Sequence, residues 1–235
     1  MKALKIGDLT IKVPIIQGGM GIAISLSKLA SAVANEGGVG VISAAGIGMA
    51  EPDFEKNCRE ANRRALRTEI QKTRSMTNGI IGVNLMVALE DYDELLKIAI
   101  EEKVDLVFMG AGLPLKLPDF VLETGFDKIH TKFVAKVSSA KAAKLIFQYW
   151  TQKFNHIPDA VVVEGPLAGG HLGFKMNELV GEMVPLHKLI KETVDALKQY
   201  KTSDGRAIPV IAAGGIYTGK DIVETAIADG RFTTL

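Results

Sequence analysis

Residues able to do chemistry gather just after short apolar runs, mostly beside glycines. Gln17-Gly18-Gly19-Met20-Gly21 is the first such group, and Asn84 closes another run. Gly110-Ala111-Gly112, Lys136, the stretch Gly165-Pro-Leu-Ala-Gly169-Gly170-His171, and Gly214-Gly215-Ile216 follow. Backbone without Cβ lets a ligand approach closely, as a flat tricyclic cofactor would require. Taken singly, a Gly-Gly after a strand is more often only a tight turn. Gly214-Gly215 is a better case, because free N–H groups there, with a helix starting near Gly219, can hold a phosphate. Gly18-Gly19-Met20-Gly21 lacks the spacing of a dinucleotide fingerprint.

Two titratable residues stand out. Lys136 sits among Phe133, Val134, Ala135 and Val137. Burying it costs several kcal/mol unless it meets an anion or acceptor, and the other reading is that it points outward at the strand end. His171 lies in a loop of small residues, where an imidazole can exchange a proton near neutral pH. A lone loop histidine is more often simply a surface residue. His130, His156 and His187 carry no site context. Histidine–carboxylate spacing for a metal is absent, as is a Gly-x-Ser-x-Gly elbow.

The elements that must position these residues follow one pattern. Apolar runs rich in β-branched residues span Val13–Gln17, Val39–Ser43, Ile80–Asn84, Asp105–Met109, Lys132–Val137, Asp159–Glu164 and Ile208–Ala213. Runs this short and continuously apolar suit parallel strands covered on both faces. Helical patterns lie between them: Ser27–Asn35, Pro52 to about Lys72, Tyr92–Glu102, Ala140–Lys153, Leu186–Lys198 and Gly219–Ala228. Gly37-Gly38 suits a C-cap, and Pro52, Asp53 and Glu55 suit a first helical turn. The alternation predicts a parallel sheet with right-handed crossovers. No linker divides the seven units, so one domain over residues 1–235 is expected. The pattern alone allows a closed barrel or an open doubly wound sheet; in a barrel, all the strand ends named above share one face.

The 235 residues are 47% apolar and 23% charged, ordinary for a globular protein with a real core. A net charge of +1 and 6% aromatics argue against a nucleic-acid binder. Arg59, Arg63, Arg64 and Arg67 fall at helical spacing and read as a solvated face. One cysteine, Cys58, excludes an internal disulfide and any multi-cysteine metal site. No signal-peptide h-region and no apolar run of about 18 residues is visible, so a cytoplasmic protein without membrane contact is expected.

Four motifs in order resemble the nitronate monooxygenase family, formerly called 2-nitropropane dioxygenases. They are Pro14-Ile-Ile-Gln-Gly-Gly-Met-Gly21, Gly82-Val-Asn-Leu-Met86, Glu164-Gly-Pro-Leu-Ala-Gly-Gly-His-Leu-Gly173 and Pro209-Val-Ile-Ala-Ala-Gly-Gly-Ile216. That family also includes FMN-dependent enoyl-acyl carrier protein reductase II enzymes. The resemblance implies an α/β fold, a TIM-type (β/α) barrel with FMN across the C-terminal strand ends. It implies that Gln17, Gly18, Gly19 and Met20 line the isoalloxazine and that Asn84 contacts the ring region. Lys136 would approach the flavin, where its charge favours the electron-rich reduced ring. Glu164 would reach the ribityl chain. Gly169, Gly170, Ala213, Gly214 and Gly215 would give backbone contacts, and His171 would be the active-site histidine.

For a nitronate monooxygenase the implied reaction oxidises alkyl nitronates to carbonyl compounds and nitrite with oxygen, His171 deprotonating a neutral nitroalkane or hydrogen-bonding the nitro group. For the reductase, NAD(P)H reduces FMN, which then reduces an enoyl thioester. Either substrate is a small molecule, and Gly82-Val-Asn-Leu-Met86 is compatible with both.

The chain departs from the family at its end. After the last helix the family has a strand and a Gly-Thr-containing turn; here Ala228-Asp-Gly-Arg-Phe-Thr-Thr-Leu235 follows. We therefore expect a barrel lacking its eighth strand, through loss of a segment and an early end. Such a barrel exposes strand edges, which favours a homo-oligomer, closure with seven strands, or weak FMN binding. A catalytically silent barrel fragment is the reading from another class.

Overall fold

In the computed structural model, residues 2–181, 183–227 and 233–234 are described. The chain opens with a two-stranded pair, β1 (Leu4–Ile6) and β2 (Leu9–Ile11), which the apolar pattern did not announce because each strand is only three residues long. Two compact units follow. The first holds residues 1–3 and 11–133, the second residues 4–10 and 134–235.

In the first unit, α1 (Ser27–Asn35) leads into β3 (Val39–Ser43), whose five residues are all buried. The helix α2 (Phe54–Met76), the strand β4 (Ile80–Met86), α3 (Tyr92–Glu101), β5 (Leu106–Gly110) and the short α4 (Asp119–Thr124) complete it. β3 and β4 are parallel, Val39 opposite Ile80 and Ser43 opposite Asn84. β4 and β5 are parallel too, Gly82 opposite Leu106 and Met86 opposite Gly110. The run Val13–Gln17 is shorter as a strand than expected. Ile16 makes a single parallel bridge to Val39, with Gln17 N–H donating to the Val39 carbonyl at 3.0 Å. Pro14 has no N–H to give a ladder, which shortens the pairing.

α2 begins after Pro52 rather than at it, and Asp53 makes no cap with its side chain. Instead Asp53 and Glu51 pair with Arg64. The arginine face is solvated as expected; the structure adds its ion pairs, Arg59 on Glu90 at 2.8 Å and Arg67 on Glu101 and Glu102. The opposite face of α2 buries Ala61, Ala65, Leu66 and Ile70, the stripe a helix needs to cover a sheet.

The second unit carries most of β6 (Lys132–Val137), then α5 (Ala140–Phe154), β7 (Ala160–Glu164), α6 (Met176–Leu179), α7 (Leu186–Leu197), β8 (Val210–Ala213), α8 (Gly219–Ile227) and β9 (Thr233–Thr234). Ser139 caps α5, its side chain accepting from Ala142 N–H at 3.2 Å. Trp150, Phe147 and Ile146 on α5 are fully buried. β6 to β7 and β7 to β8 are parallel, with Lys136 opposite Val162 and Glu164 opposite Ala213. Arg206 ties in the opening pair, donating to the carbonyls of Gly7 at 2.9 Å and Lys5 at 3.4 Å.

Strand followed by helix, with each of these neighbouring strands parallel, is the β/α order of a TIM-type barrel. Where no eighth strand is legible, two residues take its place: Thr233 and Thr234 pair parallel with Ile211 and Ala212. A longer eighth strand is not among the described residues.

Candidate active site

In the first unit, four of the expected residues lie in the loop after Ile16, and that loop meets Asn84, which stands inside β4 two residues before its end. Gln17 does not offer its carboxamide to a ligand. Its Nε2 donates to Ser25 Oγ at 2.8 Å and to the Val41 carbonyl at 2.9 Å, while its Oε1 accepts from Val41 N–H at 3.3 Å. Ser25, fully buried, also accepts from Met20 N–H at 3.0 Å and donates to the Gly18 carbonyl at 3.2 Å. Gln17 and Ser25 therefore pin both sides of the glycine loop. Gly19 packs against Asn84 so closely that a Cβ there would overlap the Asn84 Cβ. Gly18 faces open space, with nothing within 4 Å of where its Cβ would lie. Met20 is exposed.

Ser43 lies beside this group. It is the register partner of Asn84, and its buried hydroxyl has no hydrogen-bond partner among the described residues. Ser25 and Ser43 were missed because a serine in an apolar run carries no sequence signal of its own; only the pairing of β3 with β4 and the fold of the loop reveal them.

In the second unit, Lys136 meets an anion. Its Nζ lies 2.8 Å from Glu164 Oε1, and each side chain is 18% exposed. The register explains this. Lys136 is opposite Val162, so Glu164 is two residues further along the neighbouring strand and on the same face. A long lysine spans that offset, and the pair offsets the burial cost of both charges.

His171 stands in the loop after β7. Gly165 N–H anchors one end of that loop on the Ala213 carbonyl at 2.8 Å, and Gly173 abuts Ser138 at the other. Between them, a Cβ at Gly169 or Gly170 would meet nothing within 4 Å, and His171 is exposed. Gly214 and Gly215, at φ 96° and 78°, pack under this loop; a Cβ on Gly214 would come to 2.7 Å from Ala168 N. Left-handed backbone and this close approach both require glycine there.

The helix end that was expected to offer free amides is partly used. Asp221 accepts from Tyr217 N–H at 2.9 Å, Thr218 N–H at 2.7 Å and Thr218 Oγ1 at 2.9 Å. The Tyr217 N–H, then the Thr218 groups, hold its carboxyl below the usual range. While Asp221 holds them, the Tyr217 and Thr218 amides do not serve an anion. The acid three residues after Thr218 is the sequence signal of such a capping box.

Each unit by itself suits part of a flat cofactor. In the first, Gly18 leaves open space beside backbone; in the second, Gly169 and Gly170 do so, and Lys136 with Glu164 supplies charge at a strand end. Among the described residues, no group of three or more His, Cys, Asp or Glu could hold a metal, and no helix is long and apolar enough to cross a membrane.

The model of the family described as nitronate monooxygenase matches residues 2–102 and 86–231. This chain belongs to the nitronate monooxygenase family. FabK from Thermotoga maritima, a solved structure, is 30% identical with a TM-score of 0.67, covering 95% of this chain and 58% of that one. The nitroalkane oxidase from Streptomyces ansochromogenes shares the fold, with a TM-score of 0.71 at 21% identity over 96% of this chain and 65% of that one. A Mycobacterium tuberculosis relative, (3aS,4S,5R,7aS)-5-hydroxy-7a-methyl-1-oxo-octahydro-1H-indene-4-carboxyl-CoA dehydrogenase, is 26% identical over 89% of this chain and 47% of its own length. The chain thus spans about half the length of the first curated relatives it matches.

Proposed function

We propose that this family member is an FMN-dependent oxidoreductase that oxidises alkyl nitronates or nitroalkanes to carbonyl compounds and nitrite with oxygen. One observation carries the reading: three of the four family motifs lie at or just past the C-terminal ends of the parallel strands β4, β7 and β8, where folds of this class keep their sites. The first motif follows the parallel bridge of Ile16 to Val39. In this reading Gln17, Gly18, Gly19, Met20 and Asn84 serve the isoalloxazine, Gln17 by shaping the loop rather than by touching the ring. Lys136, Glu164, Gly169, Gly170, Ala213, Gly214 and Gly215 serve the remainder of the cofactor.

When bound, FMN supplies the electron acceptor for the carbon that becomes the carbonyl. Dioxygen would supply the carbonyl oxygen as the carbon–nitrogen bond breaks and nitrite leaves; the chain's own residues handle the proton and the charge. His171 takes the proton from the carbon beside the nitro group at a ring nitrogen, which converts a neutral nitroalkane to its nitronate. Its exposed loop gives substrate and water access to that nitrogen. Lys136, held by Glu164, keeps a fixed positive charge at the strand end and stabilises negative charge developing near it.

A second reading, FMN- and NAD(P)H-dependent reduction of an enoyl thioester, is favoured by the Mycobacterium relative, whose name places it on a carboxyl-CoA compound. Anaerobic mixing of the flavin-loaded chain separates the two. Bleaching by a nitronate and not by NAD(P)H supports the first; bleaching by NADH with turnover of a crotonyl thioester supports the second. A purified chain that is colourless and takes up no added FMN sinks both and leaves a silent barrel fragment.

A further inference from the structure

Ser43 closes β3, and neither the four motifs nor the chemistry assigned above uses it. Three residues earlier, Gly40 packs on α1 so closely that a Cβ there would overlap the Ala30 carbonyl. Side chains alternate along a strand, so Ser43 points to the opposite face, away from that helix. Asn84, its register partner on β4, shares that face.

Two glycines of one loop lie over this pair. Gly19 abuts Asn84, and a Cβ at Gly21 would stand 3.5 Å from Ser43 Oγ and 3.4 Å from the Ala45 carbonyl oxygen. Ser43 is 4% exposed, and its hydroxyl is closed to solvent without a hydrogen-bond partner among the described residues. The backbone around it is paired. Ser43 N–H donates to the Ser25 carbonyl at 2.9 Å, and Ala44 N–H to the Asn84 carbonyl at 3.1 Å. The side chain alone is orphaned, having given up water and gained nothing in return, which destabilises the fold until a partner arrives. Ser25 pins the loop above at Gly18 and Met20. Met20 and Ile22 are 45% and 51% exposed, so Gly21 between them can shift without uncovering a packed core.

The chemistry around Ser43 selects what that partner is. A hydroxyl both donates and accepts, which suits the edge of an isoalloxazine with its carbonyl oxygens, ring nitrogens and N–H. A phosphate is unsuited. At the start of α1, the helix that follows this loop, Ser27 N–H donates to Glu69 Oε2 at 2.9 Å, so a carboxylate already holds that helix end.

We propose that Ser43 is a flavin-binding residue, its hydroxyl hydrogen-bonding the edge of the isoalloxazine once Gly21 moves off it. The proposal rests on the FMN reading and adds to it a residue outside the family motifs.

The test is uptake of FMN and of riboflavin by the parent and by Ser43→Ala, read by quenching of flavin fluorescence, beside the thermal midpoint of each chain without flavin. The flavin-free midpoint of Ser43→Ala should equal or exceed that of the parent, because alanine removes an orphaned hydroxyl and breaks no bond. Affinity for both flavins should fall about fivefold to tenfold, the worth of one hydrogen bond left unmade. Riboflavin has no phosphate and should lose by the same factor as FMN, since the contact is to the ring. Unchanged affinity overturns the proposal. A loss accompanied by a lower flavin-free midpoint also overturns it, since Ser43 would then only support the fold. A loss confined to FMN moves the contact to the phosphate and overturns it as well. A parent chain that takes up neither flavin brings down the FMN reading too, whereas a parent and variant that bind equally bring down the role of Ser43 alone.

Discussion

At the scale of single residues, the two halves of the expected site behave differently. Lys136 left two readings open in the sequence, and the structure resolves them by a partner 28 positions away at 2.8 Å. His171 was legible as a loop histidine, and its exposure between two anchored glycines agrees with that. Its role is testable by substrate form. His171→Asn should lower kcat/KM for neutral nitroalkanes by about 10²- to 10⁴-fold. Preformed nitronates, which need no deprotonation, should lose much less; equal losses would remove the base role. Gly19 makes a second test. A methyl group there collides with Asn84, so Gly19→Ala should displace the loop and weaken FMN uptake at least tenfold, read by quenching of flavin fluorescence. Unchanged uptake would show that the loop shape does not matter to the cofactor.

At the scale of elements, β-branched runs and helix stripes made the interior strands and long helices legible to within a few residues. What the pattern missed was short or held by distant contacts. β1 and β2 are three residues each and are tied down by Arg206, about two hundred positions away. Arg206→Ala should cost about 1 kcal/mol, the net worth of such hydrogen bonds, and speed amide exchange within residues 4–11. Exchange unchanged there would mean that packing, not the guanidinium, holds the pair. The start of α2 shows the opposite error. Pro52 and Asp53 were expected in its first turn, yet the helix starts at Phe54 and a nearby guanidinium takes the Asp53 carboxylate. Arg64, by hydrogen bonding to it, keeps that carboxyl below the usual range.

At the scale of the whole molecule, the core makes stability depend on pH through a residue outside the candidate site. His156 lies near Trp150, ring centroids 6.3 Å apart, and burial pushes its pKa down to about 4. In the unfolded chain a histidine titrates near 6.5. As pH falls below about 6.5 the unfolded state takes up the proton first, so stability is full above that value and declines toward about pH 4. The thermal midpoint of His156→Gln should fall less than that of the parent over this window. Parallel curves for the two proteins would refute the assignment.

The sequence by itself determined the α/β class, the order of strands and helices, and the family, because these depend on periodicity and on motifs local to each strand end. It also placed Gln17, Asn84, Lys136, Glu164 and His171 at those ends. Only the tertiary structure decided what each one touches. Gln17 and Ser25 clamp a loop, Lys136 finds Glu164, and Asp221 occupies amides once expected to be open. The reason is physical: hydrogen bonds and ion pairs act over about 3 Å in space. Which residues come that close is set by register, turn geometry and packing, and a linear pattern of residue types does not contain those distances.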